Sequence, residues 1–136
     1  RNVIEQALGA LERIDSLPWA VSVNVSMQSI GDNGFRLALK DLILRKKQVS
    51  RRLILEITGY AASRSPELTK AFAGEVHRMG VRVALDNFEL DRGSMGIVHE
   101  LLPAYIKLSP SFTHELGTRE DLRFMIEAMV RMLRPP

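Results

Sequence analysis

Four polar residues stand at or near the ends of four apolar runs in this 136-residue chain: Asn24 in "VSVNVS", Glu56 in "LILEIT", Asp86 in "VALDNF" and Lys107 in "YIKLS". Two carboxylates and an amide carbonyl are hard oxygen donors, a set suited to Mg²⁺ or Mn²⁺. An ammonium group beside them balances a phosphate or a metal-bound hydroxide. Each residue also has a plainer use. Asn24 and Asp86 are good caps for following helices, and Glu56 and Lys107 are of opposite charge and can pair. Their recurrence favours one converging site, because parallel α/β folds gather ligand groups at the carboxyl edge of the sheet, where the connecting loops leave. The histidines do not join them. His77, His99 and His114 have no ligand spacing and read as surface or packing residues, and there is neither a glycine-rich phosphate loop nor a serine nucleophile elbow.

The elements that must hold these residues are legible as apolar runs at 21–25, 53–57, 81–85 and 105–108. They are near-continuous rather than alternating, which predicts parallel strands covered on both faces. Helices fill the intervals. Ser65-Pro66-Glu67 offers a cap, a proline at the first helical position and an early acid, while Gly80 marks a helix end. A first helix is expected over 3–14, stopped by Leu17-Pro18. A last one is expected over 119–133, with Leu122, Met125, Ile126, Met129 and Leu133 on one stripe that packs against the core. The alternation of helix and strand predicts an α/β domain with a parallel sheet.

Composition bounds the rest. With 46% apolar residues the chain can bury a core and fits one domain. The net charge of +3 is concentrated in Arg45-Lys46-Lys47 and Arg51-Arg52, runs that read as a solvated face rather than a DNA-binding surface. The absence of cysteine excludes disulfides, thiolate metal sites and a cysteine nucleophile, and suits a reducing compartment, so the cytoplasm is expected. No apolar run approaches the ~20 residues of a membrane span. Beginning at Arg1 and stopping at Pro135-Pro136 after a helical pattern, the chain reads as part of something longer.

Taken together, "NVS", "LEITG", "VALDNF" and "YIKLSPSF", in this order and at these intervals, resemble the EAL domain family. Its members hydrolyse the bacterial second messenger cyclic di-GMP or bind it as degenerate receptors. The family pattern runs N-x-S, L-E-I-T-E, a strand ending D-D-F-G-T-G, and I-K-I-D followed by a phenylalanine, here Phe112. The fold implied is a modified TIM-type (β/α)₈ barrel, of which this chain supplies about half: an N-terminal helix within 1–17 and four β/α units over about 20–134. The Glu-Ala-Leu motif itself and the late-strand motifs are absent, so either flanking sequence completes the barrel, or the strand edges are covered by a partner, another copy of the chain included, or by a rearrangement.

Carried over by position, the resemblance implies that Asn24, Glu56 and Asp86 are metal-binding residues and that Lys107 stands near the hydrolytic water. It also marks departures. Asn87 replaces the second metal-binding aspartate, and Gly59 replaces the second glutamate of L-E-I-T-E, which steadies the loop after D-D-F-G. Glu89 and Asp91 replace that loop's glycines, and Ser109 replaces the aspartate of I-K-I-D. These changes predict a degenerate domain with a regulatory role in cyclic di-GMP signalling, sensing the nucleotide or contacting other signalling domains, and holding Mg²⁺ or Mn²⁺ weakly or not at all. An active metal-dependent phosphodiesterase in the full-length protein, and a scaffold that binds no nucleotide, are the alternatives.

Overall fold

A computed structural model describes residues 2–14, 19–89 and 95–109. The expected last helix, Leu17-Pro18, Asp91, Phe112 and His114 lie outside the described residues. Helix α1 (Asn2–Arg13) leads to strand β1 (Val21–Asn24), followed by helices α2 (Met27–Ile30), α3 (Asn33–Arg45) and α4 (Lys47–Ser50). Strand β2 (Leu53–Thr58), helices α5 (Gly59–Arg64) and α6 (Pro66–Arg78), strand β3 (Arg82–Phe88), helix α7 (Met95–Leu101) and strand β4 (Ile106–Leu108) complete the order. All neighbouring strands pair in parallel, in the order β1-β2-β3-β4.

The crossovers are more broken than a simple alternation predicts, and the breaks have local causes. Ser26 caps α2 by accepting from the Ser29 amide at 3.1 Å. The chain then turns at Gly31, and Asp32 caps α3 by accepting from the amides of Gly34 and Phe35 at 2.8 and 3.2 Å. Two competing caps six residues apart make two helices. Between α5 and α6, Ser65 holds the cap position, but its side chain makes no capping bond. Its carbonyl accepts from the Thr69 hydroxyl at 2.8 Å, and Pro66 starts α6 as expected. Gly80, at φ +89°, ends that helix in the conformation glycine adopts at least cost.

The core lies on the outer face of the sheet. Val23, Leu53, Leu55, Ile57, Val83 and Leu85 pack there against Leu8, Leu11, Ile43, Phe72, Val76 and Val98 from the helices. The expectation that every strand is covered on both faces holds for β2 and for the centre of β3, where Val83, Ala84 and Leu85 are all buried, and not for the edge strands. Every residue of β2 before Thr58 is buried, whereas β1 buries Val23 alone and β4 is half-buried or exposed throughout. These edge strands turn Ser22, Asn24 and Lys107 to the inner face, and that face is where the polar residues collect.

Part of the basic run at the end of α3 is engaged in ion pairs. Lys46 pairs with Glu12 at 2.5 Å and Arg45 with Asp41 at 2.9 Å. Arg52 donates to the carbonyls of Trp19, Leu11 and Ile14, at 2.5, 3.4 and 3.4 Å, and so ties the end of α1 to the approach to β1. No described helix is long and apolar enough to cross a membrane.

Candidate functional site

Strand pairing puts the inner-face residues in rows. Asn24 is the register partner of Glu56, Glu56 of Ala84, and Thr58 of Asp86. Because side chains alternate, Ser22, Asn24, Glu56, Ala84 and Asp86 share one face. Ile106 is the register partner of the outward Leu85, so Tyr105 and Lys107 on either side of it face inward with Glu56 and Asp86.

Glu56 is the hub. Its side chain is only 6% exposed, and both carboxylate oxygens have donors. The Tyr105 hydroxyl reaches Oε2 at 3.0 Å, and Lys107 Nζ lies 3.0 Å from Oε2 and 3.3 Å from Oε1. A buried carboxylate without such partners would be costly, so this ion pair is what lets Glu56 sit inside the sheet as an anion. The Tyr105 oxygen is also 2.5 Å from Ser22 Oγ. A phenol has one proton, and with that proton on Glu56 the serine hydroxyl donates to the phenol oxygen. Burial pushes the Tyr105 phenol above its ordinary value, with Ser22 acting against the shift and Glu56 adding to it. Lys107 is raised by its hydrogen bond to Glu56, then by the charge of that carboxylate, with a further contribution from Asp86.

The far end of β3 is built differently from a simple strand tip. Asp86 and Asn87 lie inside β3, which runs on to Phe88. Between the pairs Leu85–Ile106 and Phe88–Leu108 the strand advances three residues against two on β4, which is a β-bulge. Asn87 supplies its left-handed residue at φ +51°, a conformation that asparagine tolerates better than most side chains. Phe88 is thereby turned into the core, 1% exposed, against Gly59 at the start of α5. A Cβ at Gly59 would lie 2.8 Å from Phe88 Cδ1 and 3.0 Å from its Cα, so only glycine admits this approach. Gly59, Tyr60, Ser63, Asn87, Phe88 and Glu89 line a cleft of ≈ 430 Å³, with the Arg64 guanidinium 5.6 Å from the Tyr60 ring. Ser109 is buried and donates its amide to the Phe88 carbonyl at 2.9 Å, extending the β3–β4 ladder.

The chain as a whole is similar to known proteins. The model of the EAL domain matches residues 1–135. The chain belongs to the EAL domain family. It is 25% identical over 116 residues to the bifunctional diguanylate cyclase/cyclic di-GMP phosphodiesterase MucR of Pseudomonas aeruginosa, covering 85% of this chain. It is 26% identical over 99 residues to the cyclic di-GMP phosphodiesterase PdeA of Borreliella burgdorferi, covering 73% of this chain. The chain spans only 17% and 15% of the length of these two curated relatives. Among solved structures, the S helix-GGDEF-EAL region of Vibrio cholerae LapD bound to c-di-GMP superposes with a TM-score of 0.79 at 26% identity, covering 95% of this chain and 31% of that one. The four parallel strands are therefore part of an EAL domain's TIM-barrel-like fold.

Within that EAL frame the sequence-derived residues fare unequally. Asn24, Glu56, Asp86 and Lys107 do share one face of the sheet. The capping alternative fails for Asn24, since Ser26 caps α2, and for Asp86, which lies inside a strand. The ion-pair alternative for Glu56 and Lys107 is realised. Among the described residues, no group of three or more His, Cys, Asp or Glu stands close enough to hold a metal ion. Glu89 is exposed beside Phe88 and lines the cleft. Tyr105 and Ser22 were missed as site residues. The signal for both was the two-residue period: each stands two positions before a residue that was singled out, Lys107 and Asn24 respectively, and so shares its face.

Proposed function

We propose that this chain is part of a degenerate EAL domain with a regulatory role in cyclic di-GMP signalling, one that senses the nucleotide or contacts another signalling protein without hydrolysing it. The observation that carries this reading is the engagement of Glu56 by Tyr105 and Lys107. Asn24, Glu56 and Asp86 are the residues that would hold a divalent cation, yet they do not fit a two-cation centre. One of the two carboxylates is neutralised by an ammonium group, and the position of a further carboxylate is held by Asn87 in a left-handed bulge. Lys107, which the family resemblance would place near the hydrolytic water, serves instead as counter-ion to Glu56. Gly59, Glu89, Asp91 and Ser109 fit the same reading as lost support for the loop after β3.

The chain is read as a single partial domain, and a cysteine-free domain of this kind suits the reducing cytoplasm. Cyclic di-GMP is the ligand proposed, on the strength of the LapD likeness. A second reading, an active phosphodiesterase, is favoured by the names of MucR and PdeA and requires Lys107 to release Glu56. The two are separated by incubating the full-length protein with cyclic di-GMP and Mg²⁺ or Mn²⁺ and resolving linear product by chromatography. No product above a control without protein, with saturable binding by calorimetry, is expected. Product formation that disappears in Glu56→Ala would sink the regulatory reading, and absence of binding would leave a protein scaffold.

A further inference from the structure

Tyr105 and Ser22 stand on opposite sides of the four-stranded sheet, one just before β4 and the other in β1, with β2 and β3 between them. In a flat sheet those strands would be about 14 Å apart, further than the two side chains can bridge. Their oxygens are nevertheless 2.5 Å apart, so the sheet curls around this contact. Ala84, which lies in register between the Glu56 strand and β4, presents only a methyl group where a larger inward side chain would stand in the path of the tyrosine. The hydroxyl is thus delivered to Glu56 Oε2 at 3.0 Å, beside the Lys107 ammonium at the same distance.

We infer that Tyr105 is a positioning residue which, anchored by Ser22, holds the Glu56 carboxylate in its ion pair with Lys107 and so keeps it from a divalent cation. This rests on the reading that the inner face carries no working two-cation centre, and it supplies a cause beyond the changes at Asn87 and Gly59. An ammonium ion and one phenol donor together occupy both oxygens of a buried acid. A cation bound through Oε2 would have to displace Tyr105 or Lys107, and one bound through Oε1 would have to compete with the Lys107 ammonium. Ser22 acts through the phenol, since its oxygen contacts Tyr105.

The test is Mn²⁺ binding to the full-length protein, read from the electron paramagnetic resonance of free Mn²⁺, for the wild type, Tyr105→Phe, Ser22→Ala, Ser22→Thr and the Tyr105→Phe/Ser22→Ala pair. Loss of one hydrogen bond to a charged group predicts roughly tenfold tighter Mn²⁺ binding in Tyr105→Phe. Ser22→Ala shifts affinity in the same direction by less, Ser22→Thr keeps the wild-type value, and the double variant matches Tyr105→Phe because both changes act through one hydroxyl. Unchanged or weaker Mn²⁺ binding in Tyr105→Phe, or additive effects in the pair, would overturn the inference. Should Tyr105→Phe fail to fold, the contrast between Ser22→Ala and Ser22→Thr decides it alone. Hydrolysis by the wild type is a separate readout: it would defeat the regulatory reading, whereas the tyrosine's role stands or falls on the affinities.

Discussion

Gly59 provides a test in which two ordinary rules predict opposite signs. It is the first residue of α5, and replacing glycine by alanine in a helix is worth up to about 1 kcal/mol, less at a first position. Against that, the new Cβ would sit 2.8 Å from Phe88 Cδ1 and 3.0 Å from Phe88 Cα, where ordinary contact begins near 3.4 Å. The ring edge can rotate, but the Cα belongs to a strand pinned by the Ser109 amide on the Phe88 carbonyl at 2.9 Å. Overpacking of this kind costs about 1–3 kcal/mol, so the clash wins and Gly59→Ala should destabilise by about 1–2 kcal/mol. Urea denaturation followed by circular dichroism should show the midpoint falling by about 0.5–1 M. Gly9→Ala is the internal control: the same substitution in α1, with nothing within 4 Å of its Cβ, should stabilise by about 0.5–1 kcal/mol. A midpoint for Gly59→Ala equal to or above the wild type would refute the close-approach argument.

Asn87→Asp should leave cyclic di-GMP turnover at background in the full-length protein, because Glu56 remains paired with Lys107; turnover like that of an intact family member would show that the amide alone had silenced the site. Leu102 sits just past α7 at φ +47° and is 60% exposed, so Leu102→Gly relieves a left-handed leucine at little loss of packing and should raise stability by about 1 kcal/mol, with no gain in the urea midpoint as the contrary result. Burial holds His77 below its ordinary value of 6.5, so the folded state binds its proton less readily than the unfolded chain. The stability this contributes is full above pH 6.5 and is lost as pH falls from there through the lowered folded value; His77→Gln should flatten that slope in urea titrations, and an unaltered slope would contradict it.

Much of the fold was legible because parallel strands buried between layers leave apolar runs that need no partner to be recognised: all four appear within a residue or two, except that β3 runs on through Asp86 and Asn87 to Phe88. What the runs could not reveal is the inner face. Tyr105 and Glu56 are 49 residues apart and Tyr105 and Ser22 are 83 apart, so only the curvature of the folded sheet brings them together. Strand alternation would have placed Tyr105 beside Lys107, but not told that its hydroxyl spans two intervening strands.

The same blindness affects the departures from the family pattern, and here it changes the argument. Read along the chain, Asn87 and Gly59 are subtractions, a lost carboxylate and a lost loop support. In the folded chain each is the residue its backbone requires: Asn87 carries the left-handed turn of the bulge, and Gly59 makes room for the phenylalanine that the bulge swings inward. The two are therefore one structural change, since without the bulge Phe88 would not reach Gly59, and with it no larger residue fits there. Restoring the glutamate at position 59 cannot simply rebuild a supported loop, because its Cβ meets the same strand before its carboxylate finds a partner. On the proposed reading of a degenerate site, a return to family-like chemistry has to undo the bulge, Phe88 and Gly59 together, and must also free Glu56 from Tyr105 and Lys107.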